Sequence, residues 1–527
     1  MKSVIIAGAG LAGLSAAITL AAEGRKCILV SAQPSERAQS VLAEGGINAA
    51  LDNMGENDTP QQHYEDTIKG GVYIANKNAV KGLTDNAPET VMWLASIGVP
   101  FNRENGRLLQ RPFGGQQKRR TAFAKSSTGK MIMTSLIDKA RVYESSGLIT
   151  RLPHHEFLYL LKDGDRCKGI RIKDRLTGKC ASLLGTVILA CGGMNGMFAH
   201  HTTGTVHNTG DAAAVCLAQG AALSCLEMIQ YHPTTIAIPG KRCLVTEAAR
   251  GEGGRLFTMK NGERRFFMEE KYPVLKNLMP RDVVSREMFL ARRETGSEIM
   301  LDMTGIPKKI WQDRLPDLRQ ELISYTGLDP AKHPIQVHEG IHYFMGGILT
   351  NEHHRTSIQD LYAAGEFTSL YHGANRLGGN SMLGAVYGGI TAAKDILSKS
   401  SDGEPAVIDF EYAENEPYYD ESSPHFNDKL TAVLLSGMGI VRSEDGIKNA
   451  LNELDALTPH NDREKARLDL ARAMLISALE RRESRGAHYR EDFPCTDDAF
   501  KKISIVKNIG GSIFVTFADA DKEELCR

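Results

Sequence analysis

The feature that most constrains this chain lies at its N-terminus. Ser3 to Ala7 read SVIIA, an apolar, β-branched run of the kind that forms a strand buried on both faces. Gly8-Ala9-Gly10-Leu11-Ala12-Gly13 follows at once, and then LSAAITLAAEG, which predicts a helix with small residues on its first turns. Strand, G-x-G-x-x-G and helix in that order make a nucleotide-binding turn. Gly8 permits the tight turn, Gly10 lets the backbone approach a pyrophosphate, and Gly13 allows close helix–strand packing. The start of the helix offers the phosphates unpaired N–H groups and a favourable dipole.

A second strand, Cys27 to Ser31, ends without the acid that a plain NAD fingerprint places there. Ser31 occupies that region, which favours FAD. A late strand, Thr186 to Ala190, runs into the turn Cys191-Gly192-Gly193. Then comes His207-Asn208-Thr209-Gly210-Asp211, predicted to open a helix AAAVCLAQGAAL. An Asp at such a place is by default an N-cap, with flavin binding as the alternative.

The rest of the composition mainly excludes. A length of 527 residues suggests about three domains. The net charge of −1 gives no global field for nucleic acid or an acidic membrane surface. None of the nine cysteines falls in a C-x-x-C pair, so a zinc or iron–sulfur site within the chain is not expected, and reduced thiols in a cytoplasmic compartment are. No uninterrupted apolar run approaches the roughly 20 residues that span a bilayer. The apolar N-terminus reads as strand and helix rather than an export signal, and membrane association would require a partner.

Further motifs occur in a fixed order: AEGGINAAL at 43–51, QRPFGGQ at 110–116, NTGDA at 208–212, QYHPT at 230–234 and TEAARGEGGRL at 246–256. PRDVVSR at 280–286, HYFMGG at 342–347, LYAAGE at 361–366, HGANRLGGNSML at 372–383 and RESRGAHYRED at 482–492 continue the series. In this order they resemble the flavoprotein subunits of fumarate reductase and succinate dehydrogenase, with L-aspartate oxidases as near relations. The resemblance implies an α/β fold: a Rossmann-like FAD-binding domain, an inserted α+β capping domain and a C-terminal helical domain. It implies FAD contacts at Gly8, Ala9, Gly10, Gly13, Ser31, Glu44, Gly45, Gly46, Asp211, Glu366 and Ser381. On its residues alone, Glu366 would be read as a solvated loop acid.

Membrane-bound members of that family attach FAD to a His in the segment before the A-E/Q-G-G motif. Gln39 stands there in this chain, and an amide cannot form a histidyl–flavin bond, so the expected FAD is non-covalent. The loss of that link, and Glu44 in place of Gln, lean the chain toward fumarate reduction. Ala212 after Asp211 and Lys130 after Thr128-Gly129 are other departures from the family pattern.

Fumarate and succinate are small dianions, and Arg offers a planar fork that matches a carboxylate. Arg376 resembles the family's carboxylate-clamping arginine, and His232, His342 and Thr246 its other substrate contacts, with Glu247 beside them. Taken singly, the histidines would be read as structural. Reduction requires a hydride on one alkene carbon and a proton on the other. The resemblance assigns the proton to Arg281, with Glu252 and Arg250 as its relay; the plainer reading of Arg281-Asp282 is a helix cap or ion pair. Arginine can serve as an acid only if its proton is replaced in concert, since its free pKa exceeds about 12.

The expected organisation is an FAD-binding domain over 1–226 and 343–400, a capping domain over 227–342, a helical domain over 406–490 and a hairpin segment over 491–527. Asp402 to Pro405 reads as a linker. Helical periodicity covers 426–455 and 462–483, with charge runs expected to be solvated faces. KKISIVKNIGGSIFVTFADA reads as two strands turning at Gly510-Gly511. No nucleic acid and no metal is expected. Electrons are expected from an iron–sulfur subunit or another reduced carrier, and the location is cytoplasmic, or peripheral on the inner face of the cytoplasmic membrane. L-aspartate oxidase is the nearest rival, but its Ala-Ser is Gly-Gly here in N-R-L-G-G-N-S, and RPFGGQQKRRTAF lacks an acid to meet an ammonium group. Reduction of another unsaturated carboxylate is the second rival.

Overall fold

The computed structural model describes residues 4–399, 406–407, 409–413, 415–522 and 525. The linker at Asp402–Pro405 lies outside them. Alternation along Val4–Ala7 explains how the N-terminal strand is used. Val4 and Ile6 join one apolar core, Ile5 and Ala7 another, and all four are buried. Five parallel strands stand in the order Leu361–Ala363, Thr186–Leu189, Val4–Ala7, Cys27–Ser31 and Ile149–Pro153. Helices Leu11–Ala22, Thr128–Ser145 and Asn380–Ser398 contribute to the core on the first face.

On the opposite face lie the antiparallel strands His155–Asp163, Arg166–Asp174 and Cys180–Leu184. Their core continues into Phe426, Leu430 and Leu434 of helix Pro424–Gly437 and Leu470 and Met474 of helix Asp462–Glu480. The C-terminal helices therefore complete the core of the nucleotide-binding sheet. The periodic stretch 426–455 is divided: a second helix, Glu444–Asp455, starts at Ser443, whose hydroxyl accepts from the Gly446 amide. The helix opened by Asp211 stops at Ala218, because Leu223 and Ser224 are drawn into pairing with Ile348–Gly347 and Val506–Ile505. The expected hairpin forms from Ile503–Ile509 and Ser512–Ala518, with Gly510 and Gly511 both at positive φ.

Two long strands, Ile229–Ile238 and His338–Phe344, pair antiparallel and lead into and out of the inserted segment. That segment has a four-stranded sheet and a core of its own, including Val245, Leu256, Phe267, Val284, Met288, Leu301 and Trp311. Helices Arg281–Thr295 and Pro316–Thr326 belong to it. Its inner edge faces the carboxyl ends of the parallel strands, where open α/β sheets bind their ligands.

Candidate active site

Ala7–Gly8, Ser31, Ala190–Gly193 and Ala364–Glu366 all meet at the carboxyl edge of the parallel sheet, around a crevice of about 1000 Å³. That volume is at the top of the range of roughly 300–1,000 Å³ for small-molecule sites, as a dinucleotide requires. The crevice has the chemistry as well as the size. Gly8 has φ +114°, and a Cβ there would meet Ala190 O at 2.1 Å, so only glycine makes the turn. Helix Leu11–Ala22 has Gly10 as its N-cap, no capping side chain and no acid in its first turn. The Leu11 N–H donates to Ser40 Oγ at 3.3 Å, and the N–H groups that follow it in the first turn are left for an anionic group. These residues fit the pyrophosphate of FAD.

Gly8, Ala9, Gly10, Ser31, Gln39, Glu44, Asp211, Glu366 and Ser381 line the crevice. Gly13 instead packs against the turn: a Cβ there would lie 1.8 Å from Gly8 O. Gly45 and Gly46 stand behind the wall, against Phe113 and against Thr121–Ala122. Gln39 Oε1 accepts from the Thr205 amide, and the Glu366 carboxylate accepts from the Phe344 amide at 3.0 Å. Glu366 is therefore a wall residue rather than a solvated acid, and burial pushes its carboxyl up to about 7. Asp211 is the first residue of its helix, with Gly210 as the cap, and its carboxylate is bound by Arg463 and Arg467. The charges of helix Asp462–Glu480 are thus not all on a solvated face: Arg463, Glu464 and Arg467 are buried.

Beside the crevice lies a compact polar cluster. His232, on the strand Ile229–Ile238, and His342, on His338–Phe344, stand with ring centroids 5.1 Å apart. His342 Nδ1 is 2.7 Å from Thr203 Oγ1, and His232 Nδ1 is 3.0 Å from Thr234 O. Arg281 opens its helix after Pro280 and binds Glu247 Oε2 through Nε at 2.9 Å and Nη2 at 2.7 Å. The other oxygen, Glu247 Oε1, accepts from the Gly114 amide at 2.8 Å. Arg376 lies over the Tyr343 ring, 4.4 Å from its centroid. Gln230 Oε1 accepts from Arg281 Nη1 at 3.2 Å and from Arg376 Nη2 at 2.9 Å. Thr246 is buried next to Glu247.

The cluster is built to receive negative charge. Burial first, and then the guanidinium of Arg281, hold His232 and His342 well below the usual imidazole range, so both are neutral. Burial and repulsion from Arg281 bring Arg376 down to about 9, which still leaves it a cation at neutral pH. Burial would raise Glu247, but Arg281 and Arg250 outweigh it and hold the carboxyl at about 2. Arg376 Nε, Arg250 Nε and Arg250 Nη2 are buried donors with no hydrogen-bond partner among the described residues. Such donors are costly to leave unmatched and suit an anionic ligand.

Two acids stand differently from their expected places. Glu252 pairs with Arg314 at 3.0 Å. Glu247 is the N-cap of the one-turn helix Ala248–Gly251 and Arg250, three residues on, lies within it, whereas Glu252 is its C-cap. Glu247 is engaged by Arg281 at Oε2 and by the Gly114 amide at Oε1. Gln230, Gly114, Thr203 and Tyr343 were not foreseen as site residues. Gln230 and Gly114 lie inside quoted motifs, QYHPT and QRPFGGQ, whereas nothing in HTTGT marks Thr203.

This fold and crevice define an FAD-dependent oxidoreductase. The FAD binding domain family matches residues 3–382, and the fumarate reductase flavoprotein C-term family matches 462–525. The succinate dehydrogenase flavoprotein subunit of Bacillus subtilis is 34% identical, with 96% of this chain and 94% of that protein covered. The 8-methylmenaquinol:fumarate reductase flavoprotein subunit of Wolinella succinogenes is 34% identical, with 95% of this chain and 88% of that protein covered. L-aspartate oxidase of Streptomyces coelicolor is 33% identical, covering 94% of this chain and 89% of that one. The solved E. coli quinol fumarate reductase FrdA superposes with a TM-score of 0.87 at 28% identity, covering 99% and 97% of the two chains. The chain belongs to the succinate dehydrogenase and fumarate reductase flavoprotein family.

Proposed function

We propose that this chain interconverts fumarate and succinate on a non-covalently held FAD, with fumarate reduction as its favoured direction. The observation that carries the reading is the pair of buried guanidiniums, Arg281 and Arg376, gathered on one oxygen of Gln230 beside two neutral histidines. Two cationic forks and short polar donors suit a four-carbon dianion. FAD, when bound and reduced by two electrons from a partner, would supply the hydride for one alkene carbon.

The chain's own residues do the rest. Arg376, His232, His342 and Thr246 hold and orient the two carboxylates. Arg281 gives a proton to the other alkene carbon, and its charge stabilises the negative charge that develops there. Glu247, not Glu252, carries the replacement proton, because it binds Arg281 directly. Arg250 is the next member, with Nη2 3.9 Å from Glu247 Oε1. Transfer across that gap requires Arg250 to move in by about 1 Å, to hydrogen-bond distance. Burial of Glu247, Arg250, Arg281 and Arg376 at 3–7% exposure keeps bulk water from the reacting centre.

Gln39 supports the non-covalent reading: it lines the crevice as an amide bonded to the Thr205 backbone and offers no imidazole. Acid precipitation of the holoprotein is expected to release all of its flavin into the supernatant; yellow colour retained in the pellet would contradict this. Electrons come from a partner, an iron–sulfur subunit or another reduced carrier, and any attachment to a membrane is through that partner. The deciding experiment is anaerobic reduction of the holoenzyme, mixing with fumarate, and recording the recovery of flavin absorbance. Rapid reoxidation that is lost in Arg281→Ala is expected. No response to fumarate would turn the assignment to another unsaturated acid. Reduction of the oxidised enzyme by aspartate would turn it to the oxidase.

A further inference from the structure

Behind the arginine cluster runs a line of hydrogen bonds that the proposed chemistry does not itself use. Gln230 Oε1 receives the two arginines, while Gln230 Nε2 donates to Asn375 Oδ1 at 2.8 Å and to the Arg376 carbonyl at 2.9 Å. Asn375 Nδ2 donates in turn to Asp282 Oδ1 at 3.0 Å. Gln230 is fully buried and Asn375 is 4% exposed, so neither amide can exchange these partners for bulk water.

The arginine end of this line decides its direction. A guanidinium only donates hydrogen bonds, and an ionised carboxylate only accepts them. With the arginines on Gln230 Oε1 and the Arg376 carbonyl on Gln230 Nε2, Asn375 must turn Oδ1 toward Gln230, which leaves Asn375 Nδ2 to donate to Asp282. The line also closes on itself through the backbone. Asp282 is the neighbour of Arg281, and Asn375 is the neighbour of Arg376. Gln230 and Asn375 thus tie together the main-chain positions from which the two arginines project.

We propose that Asp282 and Asn375 are positioning residues that complete this amide line and, through Gln230, hold Arg281 and Arg376 in register for a dicarboxylate. The inference rests on the fumarate–succinate reading. The two guanidiniums repel each other, as the effect of Arg281 on Arg376 shows. An amide oxygen between them offsets the repulsion, whereas a reversed amide would present N–H groups to N–H groups. The order of donors in the line therefore adds to the hold of Glu247 on Arg281 in keeping the two cations together when no dianion is bound.

A reciprocal exchange tests this in the FAD-loaded protein. Asn375→Asp removes the donor that faces Asp282 and sets two acceptors against each other. Fumarate turnover is expected to fall by at least about tenfold, the effect of one buried hydrogen bond left unmade. KM for fumarate is expected to rise and the melting temperature to fall. Adding Asp282→Asn places a donor amide opposite the new carboxylate, which still accepts from Gln230 Nε2. The double variant is expected to recover most of the turnover, the KM and the melting temperature. Asp282→Asn alone keeps an acceptor oxygen and is expected to lose less than Asn375→Asp.

A double variant as impaired as Asn375→Asp, beside an active wild type, overturns the inference. A wild type inert toward fumarate overturns the functional reading instead. The melting temperatures of the four proteins, which need no substrate, then still decide the polarity of the line. If Asn375→Asp does not fold, Asp282→Leu against Asp282→Asn makes the same comparison: the first removes the acceptor and is expected to lose turnover, and equal losses overturn the inference.

Discussion

Glu247 lies 2.7 Å from Arg281 Nη2 and 2.8 Å from the Gly114 amide, with 3% of its surface exposed. Glu247→Gln keeps the shape but removes the charge, and it cannot pass a proton to Arg281 through an acid oxygen. The expected result is a fall in kcat of about 10²–10⁴-fold with a much smaller change in KM, read from steady-state fumarate reduction. A variant with undiminished kcat would remove Glu247 from the relay. The same residue sets a stability limb. Its carboxyl is lowered from 4.5 to about 2 on folding, so its contribution is complete above pH 4.5 and is lost as pH falls from 4.5 toward about 2. Chemical denaturation of wild type and Glu247→Gln across that window is expected to show their stability difference changing with pH there and constant above it.

At the scale of elements, the docking of helix Asp462–Glu480 on helix Asp211–Ala218 depends on two arginines one turn apart. Arg463 and Arg467 share a helix face and both bind Asp211, which burial would otherwise raise and which these two cations hold below the usual carboxylate range. Replacing both by Met keeps the apolar stems but leaves Asp211 buried without an arginine. The expected cost is about 3–5 kcal/mol in urea denaturation, with weaker retention of FAD because Asp211 lines the crevice. A cost below about 1 kcal/mol would mean that the pair is no more than a surface bridge. These helices also show how far the sequence could be read. Their existence was legible, because apolar spacing reports a helix wherever it docks. The burial of Arg463 and Arg467 was not, because their partner lies 252 and 256 residues away and periodicity counts only apolar positions. The N-terminal strand was legible almost to the residue and the helix to within about one turn, starting at Leu11 rather than after Gly13, since the glycine spacing has few other uses. Glu247 and Glu252 share one motif, so choosing between them required knowing where the one-turn helix starts, which tertiary packing decides.

Across the whole molecule, the site is assembled from distant parts of the chain, and the segment Arg111–Gln117 is where they are joined. Gly114 donates to Glu247, on the inserted segment, while Gln116 Nε2 donates to Gly378 O at 2.7 Å, beside the loop that carries Arg376. A Cβ on Gly114 would lie 2.1 Å from Glu247 Oε1, whereas its backbone φ is not in the left-handed region. Gly114→Ala therefore asks nothing unusual of the main chain, and its clash falls on the carboxylate that serves the proposed acid. The methyl would push Glu247 off the Gly114 amide and disturb its grip on Arg281, with the crevice walls left as they are. Loss of one charge-assisted hydrogen bond of about 1.5–3 kcal/mol corresponds to a fall in kcat of about 10- to 150-fold. FAD content, read from the visible spectrum of the purified protein, is expected to match wild type. Fumarate turnover within twofold of wild type would show that the inserted segment holds Glu247 in place without this contact. A parallel loss of FAD would show instead that the 111–117 segment shapes the crevice itself.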